Sequence, residues 1–140
     1  MKIAETVYAI DANVILRYLL GEGGAGGEKA ARIMEALEDG KISVWCDPVT
    51  LAEVVWVLTS FYRREPAAVG AALLPIVRTA GLRLTEKERY VRALELFAHD
   101  GVYYGDACAC ATAQSECGGR LLSSDRKLSK VEGITRLESI

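Results

Sequence analysis

The chain of 140 residues lacks any apolar run of the roughly 18–20 residues that a bilayer-spanning helix needs. It also lacks an N-terminal basic segment followed by an apolar core and a small-residue cleavage site, so no secretory leader is expected. Histidine is nearly absent. His99 stands alone, with no serine or cysteine nucleophile signature near it, which removes the usual hydrolytic triads. The four cysteines form no metal-binding pattern: Cys108 and Cys110, two apart in a helical pattern, point to different faces and make a poor pair of metal ligands. Cys46, Cys108, Cys110 and Cys117 therefore read as small buried hydrophobes in a reducing, cytoplasmic setting. The net charge of −2 argues against a protein that grips nucleic acid mainly by bulk positive charge. No linker or repeat divides the chain, so residues 1–140 are expected to form one domain.

What is present is an ordinary globular composition, 51% hydrophobic and 26% charged. The stretch from Val7 to Leu20 reads as a short apolar strand that delivers Asp11 at its end, with Asn13 capping the helix that follows. Residues 21–27 hold five glycines and are expected to be a flexible loop. A phosphate-cradling loop is excluded there, because Lys29 does not directly follow a glycine and no Ser or Thr comes next. Ala30, Ile33, Met34 and Leu37 mark an amphipathic helix over Glu28–Asp39. Ile42–Cys46 reads as a strand, and Asp47-Pro48 is a helix start with Asp as cap and Pro in the first turn. Glu65-Pro66 opens a helix in which Pro75 predicts a kink or break. Leu82–Leu84 is a strand, Thr85 with Glu88 forms a capping box, and a small-residue helix follows Asp106. Arg120–Ser124 is a strand ending at Asp125, and Thr135–Glu138 is a final edge strand. The order β-α-α-β-α-α-β-α-α-β-β implies the α/β class, with a mostly parallel central sheet of 4–5 strands and helices on both faces.

Four acids stand out: Asp11 and Asp125 at strand ends, Glu53 on an apolar helix and Asp106 at a helix start. Each alone has a plain explanation as a turn residue, a solvent-facing acid or a cap. If the first and fourth strands are neighbours, Asp11 and Asp125 reach the same edge of the sheet, where open α/β sheets bind ligands.

With Ile10-Asp11-Ala12-Asn13-Val14-Ile15, Thr50-Leu51-Ala52-Glu53-Val54, Tyr104-Gly105-Asp106-Ala107 and Leu121-Leu122-Ser123-Ser124-Asp125 in that order, the sequence resembles the PIN-domain nucleases. Within them it looks most like the toxin subunits of VapBC-type toxin–antitoxin pairs. The resemblance implies an endoribonuclease that needs one or two Mg²⁺ or Mn²⁺ ions, since hard cations prefer carboxylate oxygens and water. Asp11 and Asp106 are the expected direct ligands, with Glu53 and Asp125 binding directly or through water. Ser123 would orient Asp125 or a water, and Asn13 would support the ligands. Many relatives carry a further acid or Asn after the fourth carboxylate. Here Arg126-Lys127 follows Asp125, placing two cations where a phosphate could be gripped.

Setting the four acids aside takes the remaining charge from −2 to +2, so the acidic total does not exclude RNA. Arg17, Arg126, Lys127 and Lys130 are the candidate phosphate contacts. A homodimer and a VapB-like antitoxin are the implied partners, meeting the apolar helices between Asp47 and Ala80 that carry Trp56, Phe61 and Tyr62. Three other readings compete: a PIN nuclease of RNA processing, a PIN-like binding module without activity, and a haloacid-dehalogenase-like phosphatase. The last would need an acid where Asn13 stands.

Overall fold

A computed structural model describes residues 6–21 and 23–140. In chain order the elements are β1 (Thr6–Ala9), α1 (Ala12–Leu20), α2 (Gly24–Glu38), β2 (Ile42–Trp45), α3 (Pro48–Trp56), α4 (Pro66–Arg78), β3 (Leu82–Arg83), α5 (Lys87–Asp100), α6 (Tyr104–Glu116), β4 (Arg120–Leu122) and β5 (Thr135–Leu137). This is the α/β order read from the sequence. No helix of the described residues is long and apolar enough to cross a membrane. Two compact units are present. One comprises Met1–Arg64 and Pro75–Thr85, the other Glu65–Leu74 and Glu86–Ile140.

In the first unit, β1, β2 and β3 form a parallel sheet in that order, with Tyr8 opposite Val44 and Trp45 opposite Arg83. Parallel neighbours need long crossovers, and helices supply them. α1 buries Ala12, Ile15 and Leu16, a stripe at helical spacing, and ends on Gly21 at φ 62, whose N–H donates to the carbonyls of Arg17 and Tyr18. α3 starts as expected: the Asp47 carboxylate accepts from the Val49 N–H at 2.8 Å and Pro48 occupies the first turn. Beyond Trp56 the chain widens into a π-helical segment, Val57–Phe61, that the sequence did not announce. There the Tyr62 N–H reaches back to the Val57 carbonyl, and Thr59 Oγ1 donates to the Val55 carbonyl at 2.8 Å.

Several expectations need correcting. α1 is capped by Asp11 rather than Asn13: the Asp11 carboxylate accepts from the Ala12 N–H, and Asn13 already lies inside the first turn, past the cap position. Of the expected flexible segment 21–27, Glu22 lies outside the described residues, while Gly24–Gly27 belong to α2. Gly27 is buried, and a Cβ at Gly26 would sit 3.5 Å from Arg17 Nη1, so the first turn of α2 packs on α1. That packing offsets the roughly 1 kcal/mol each glycine costs a helix. Thr85 does not cap α5. Glu86 takes a left-handed conformation, φ 57, immediately before Lys87, and no side chain caps the helix. α4 stays helical through Pro75, at whose N-terminal side the boundary between the two units falls.

In the second unit α5 and α6 pack together, and Gly70 of α4 meets Ala98 so closely that a Cβ there would overlap the alanine methyl. β4 and β5 form a separate parallel pair, with Leu121 opposite Arg136. The pairing is extended at both ends, by Thr135 N–H to the Gly119 carbonyl at 2.8 Å and Ser123 N–H to the Leu137 carbonyl at 2.9 Å. The strands are therefore split three and two. The expected pairing of the first strand with the fourth is absent among the described residues: β1 bonds to β2, and β4 takes β5 as its ladder partner.

Candidate active site

In the first unit, Asp11 leaves β1 in an extended conformation and turns its carboxylate onto the start of α1. Oδ1 accepts from the Ala12 N–H at 2.8 Å and Oδ2 faces the Asn13 amide at 3.4 Å. An anion at a helix N-terminus is favoured by the free N–H groups and the dipole there. Asn13 and Arg17, one turn apart on α1, then line a cavity of about 430 Å³ together with Glu53, Trp56 and Tyr62. Glu53 is exposed and its carboxylate takes no hydrogen bond among the described residues. Its position among valines therefore carries no burial cost. The structure thus joins Asp11 to Asn13 and Asn13 to the surroundings of Glu53 and Arg17.

In the second unit, Asp106 and Asp125 line one cavity of about 480 Å³, with Asp100, Tyr103, Lys127 and Lys130 among its other walls. Asp106 is the third residue of α6 and half-buried. It is not the cap, a position held by the backbone of Tyr103. Asp125 caps a short 3₁₀ turn, Arg126–Lys130, accepting from the Lys127 N–H at 3.0 Å. Ser123 turns its hydroxyl to the Asp125 N–H, and Arg136 holds this corner, donating to the Ser123 carbonyl at 2.9 Å and the Ser129 hydroxyl at 2.9 Å. Arg126, expected as a phosphate contact, is exposed and does not line the cavity; Lys127 and Lys130 do.

Sequence reasoning missed Tyr103, Asp100 and Arg136. Asp100 and Tyr103 bracket the Gly101 bend between α5 and α6, a signal that could have placed both near Asp106. Arg136 gave no signal, since its partners come from loop geometry alone.

The Cys46, Cys108 and Cys110 thiols are poor candidate nucleophiles. All four cysteines are free. Burial, with the neighbouring Asp47 charge, pushes the Cys46 thiol up to about 11. Burial also raises Cys110, with the Asp106 charge adding to it, and raises Cys108 against a lowering hydrogen bond from Tyr104.

Among the described residues, no three His, Cys, Asp or Glu side chains gather as a group that could hold a metal ion. The donor set nevertheless suits Mg²⁺ or Mn²⁺: it is all carboxylate oxygen, and among the described residues the Glu53 and Asp106 oxygens are uncommitted to hydrogen bonds. Mg²⁺ is usually held by one or two carboxylates, with waters and substrate phosphate completing the shell. Asp106 and Asp125 in one cavity meet that requirement.

A family model described as PIN domain matches residues 8–134, a span that includes Asp11, Glu53, Asp106 and Asp125 and runs through both units. PIN domains are generally nucleases. No curated protein and no solved structure matches the chain.

Proposed function

The chain belongs to the PIN domain family, and from that premise we propose that it is a Mg²⁺- or Mn²⁺-dependent endoribonuclease served by the carboxylates of Asp11, Glu53, Asp106 and Asp125. The observation that carries the reading is the cavity of the second unit, where Asp106 and Asp125 stand with Lys127 and Lys130. Carboxylates suited to a hard cation and ammonium groups suited to a phosphate line one wall-to-wall space. When bound, the ion would supply charge neutralisation at the phosphate and a more acidic water. The protein's own part is positional. Asp106 is fixed by the first turn of α6, and Asp125 by its own turn and by Ser123. Lys127 and Lys130 would hold the phosphates flanking the bond to be cut. Asn13 would keep the Asp11 carboxylate turned to one side, with Arg17 as a further phosphate contact. Hydrolysis then adds one water across a P–O bond, leaving a phosphate on one fragment and a hydroxyl on the other.

We further read the protein as the toxin of a VapBC-type pair, acting in the cytoplasm as a homodimer and silenced by a VapB-like antitoxin. Support comes from an exposed apolar face of the first unit, where Val49, Trp56 and Phe61 are 75%, 64% and 73% exposed. Aromatic surface of that kind is enriched where proteins meet.

Incubating the purified chain with total RNA, in Mg²⁺ and in EDTA, tests the nuclease reading. Cleavage is expected only with the metal, and Asp106→Asn abolishes it. Cleavage that persists in EDTA rejects the metal mechanism. Growth arrest on expression, relieved by the product of a neighbouring gene, separates a toxin from an RNA-processing nuclease.

A further inference from the structure

Two adjacent tyrosines at the start of α6 behave in opposite ways. Tyr104 turns inward, its ring edge-on to Phe97 at 6.0 Å between centroids and 89° between planes. Tyr103 is 78% exposed, yet it lines the cavity that holds Asp106, Asp125, Lys127 and Lys130. Its backbone explains the projection. α5 ends on Gly101 in the left-handed region, φ 67, Val102 is buried, and Tyr103 is extended at φ −54, ψ 145 before α6 begins. With Val102 buried before it and Tyr104 packed on Phe97 after it, Tyr103 is the residue left facing outward at this bend.

An aromatic ring held in water at the rim of a cavity, with no packing role of its own, has a flat face to offer. The neighbouring charges say what fits it. Lys127 and Lys130 attract an anion, the carboxylates suit a cation that bridges to phosphate, and the volume of about 480 Å³ lies within the usual range for small-ligand sites. A planar group tethered to phosphates matches all three features, and a nucleotide is such a group.

We propose that Tyr103 is the base-stacking residue of this cavity, receiving an unpaired nucleobase next to the phosphate at Asp106 and Asp125. The proposal rests on the nuclease reading above and adds the residue that seats the base. A base in an A-form duplex is already stacked on both faces and cannot lie on a tyrosine ring, whereas loops and ends can splay a base outward. Stacking is indifferent to base identity, so Tyr103 seats the base and leaves sequence preference to other contacts.

The test uses the full chain and a short RNA carrying 2-aminopurine, a fluorescent base quenched by stacking, in Ca²⁺ to populate hard-oxygen sites. Wild-type protein quenches the single-stranded probe and binds the same sequence in duplex form far more weakly. Tyr103→Ala removes the quench and weakens binding about five- to hundredfold, the range one base–aromatic stack supplies. Tyr103→Phe and Tyr103→Trp restore both, since only the π face is needed. With Mg²⁺ and a cleavable single strand, the Ala variant shows the same factor as a rise in KM. Because Tyr103 is exposed, unchanged thermal melts of the Ala variant are expected and separate the effect from unfolding. Unchanged quench and affinity in Tyr103→Ala overturn the proposal while leaving the nuclease reading intact. Tyrosine-dependent quench without cleavage in Mg²⁺ leaves the stacking role standing and rejects the nuclease reading. Equal binding of duplex and single strand also overturns the proposal.

Discussion

The Asp125 backbone N–H donates to the Ser123 hydroxyl oxygen at 3.0 Å, while the Asp125 carboxylate caps the next turn at the Lys127 N–H. The carboxylate is therefore aimed from both sides of its own residue. Ser123→Ala removes one of these and leaves the other. A hydrogen bond of this kind contributes about 0.5–1.5 kcal/mol to stability, but groups that orient metal ligands commonly matter ten- to hundredfold in metal affinity or activity. The expected outcome is a shift in the Mg²⁺ concentration for half-maximal cleavage of about that size, with urea unfolding changed by about 1 kcal/mol. Ser123→Thr, which keeps the hydroxyl, is expected to restore the Mg²⁺ response. Identical Mg²⁺ titrations for wild type and Ser123→Ala would remove Ser123 from the site.

Asp11 carries two roles that substitution can separate. Its Oδ1 accepts from the Ala12 N–H at 2.8 Å and so starts α1. Asn caps a helix as well as Asp does, whereas Ala forfeits the cap at about 1 kcal/mol. Asp11→Asn should melt with the wild type in EDTA and cleave no RNA in Mg²⁺. Asp11→Ala should be equally inactive and measurably less stable. An Asn variant that retains Mg²⁺-dependent cleavage would take Asp11 out of the metal's service.

What the sequence revealed follows the range of the interactions involved. Asp47-Pro48 was legible because capping and the fixed φ of proline act within three residues. The element order was legible for the same reason, since periodicity and punctuation are local. The α1 cap was misassigned by two residues, because Asp11 and Asn13 are both good caps and only backbone geometry decides between them. The pairing of β4 with β5 rather than β1 was not legible, because strands of three or four residues carry too little pattern to name a neighbour. At the site, Asp106 and Asp125 could be found as acids at element ends, and the structure places them in one cavity. Tyr103 could not be told from Tyr104 without knowing which of the two rings packs inward on Phe97, and Arg136 acts on Ser123 across thirteen residues of loop and strand.

The helical start of α2 has a direct test. A flexible glycine loop at 24–27 would be little affected by one alanine, but Gly26 lies inside a helix where an added Cβ meets Arg17 Nη1 at an ordinary 3.5 Å. Gly→Ala in a helix that accommodates the methyl group stabilises by roughly 0.5–1 kcal/mol, by helix propensity and by restricting the unfolded chain. Gly26→Ala is expected to raise the urea midpoint accordingly, without a change in the slope of unfolding. A lowered midpoint would contradict the packed helix.

The Cys46 thiol predicts how stability responds to alkali. Its ordinary value of 9.0 is raised to about 11 in the folded chain, first by burial and then by the Asp47 charge. A raised folded-state value means that the fold favours the protonated thiol. The stabilisation is complete below pH 9, where the thiol is neutral in both states, and is lost progressively between about 9 and 11 as the unfolded chain ionises and the folded one does not. Denaturation midpoints measured across this window should fall for the wild type, and less steeply for Cys46→Ser or Cys46→Ala. Both replacements remove the ionisation, and Ser keeps a donor for the Asp47 carbonyl that the Cys46 thiol meets at 3.6 Å, whereas Ala gives it up. In the native protein at pH 8 the Cys46 thiol should also resist alkylation until denaturant is added. Rapid native alkylation of Cys46, or parallel alkaline slopes in wild type and both variants, would show that the thiol is not protected by the fold.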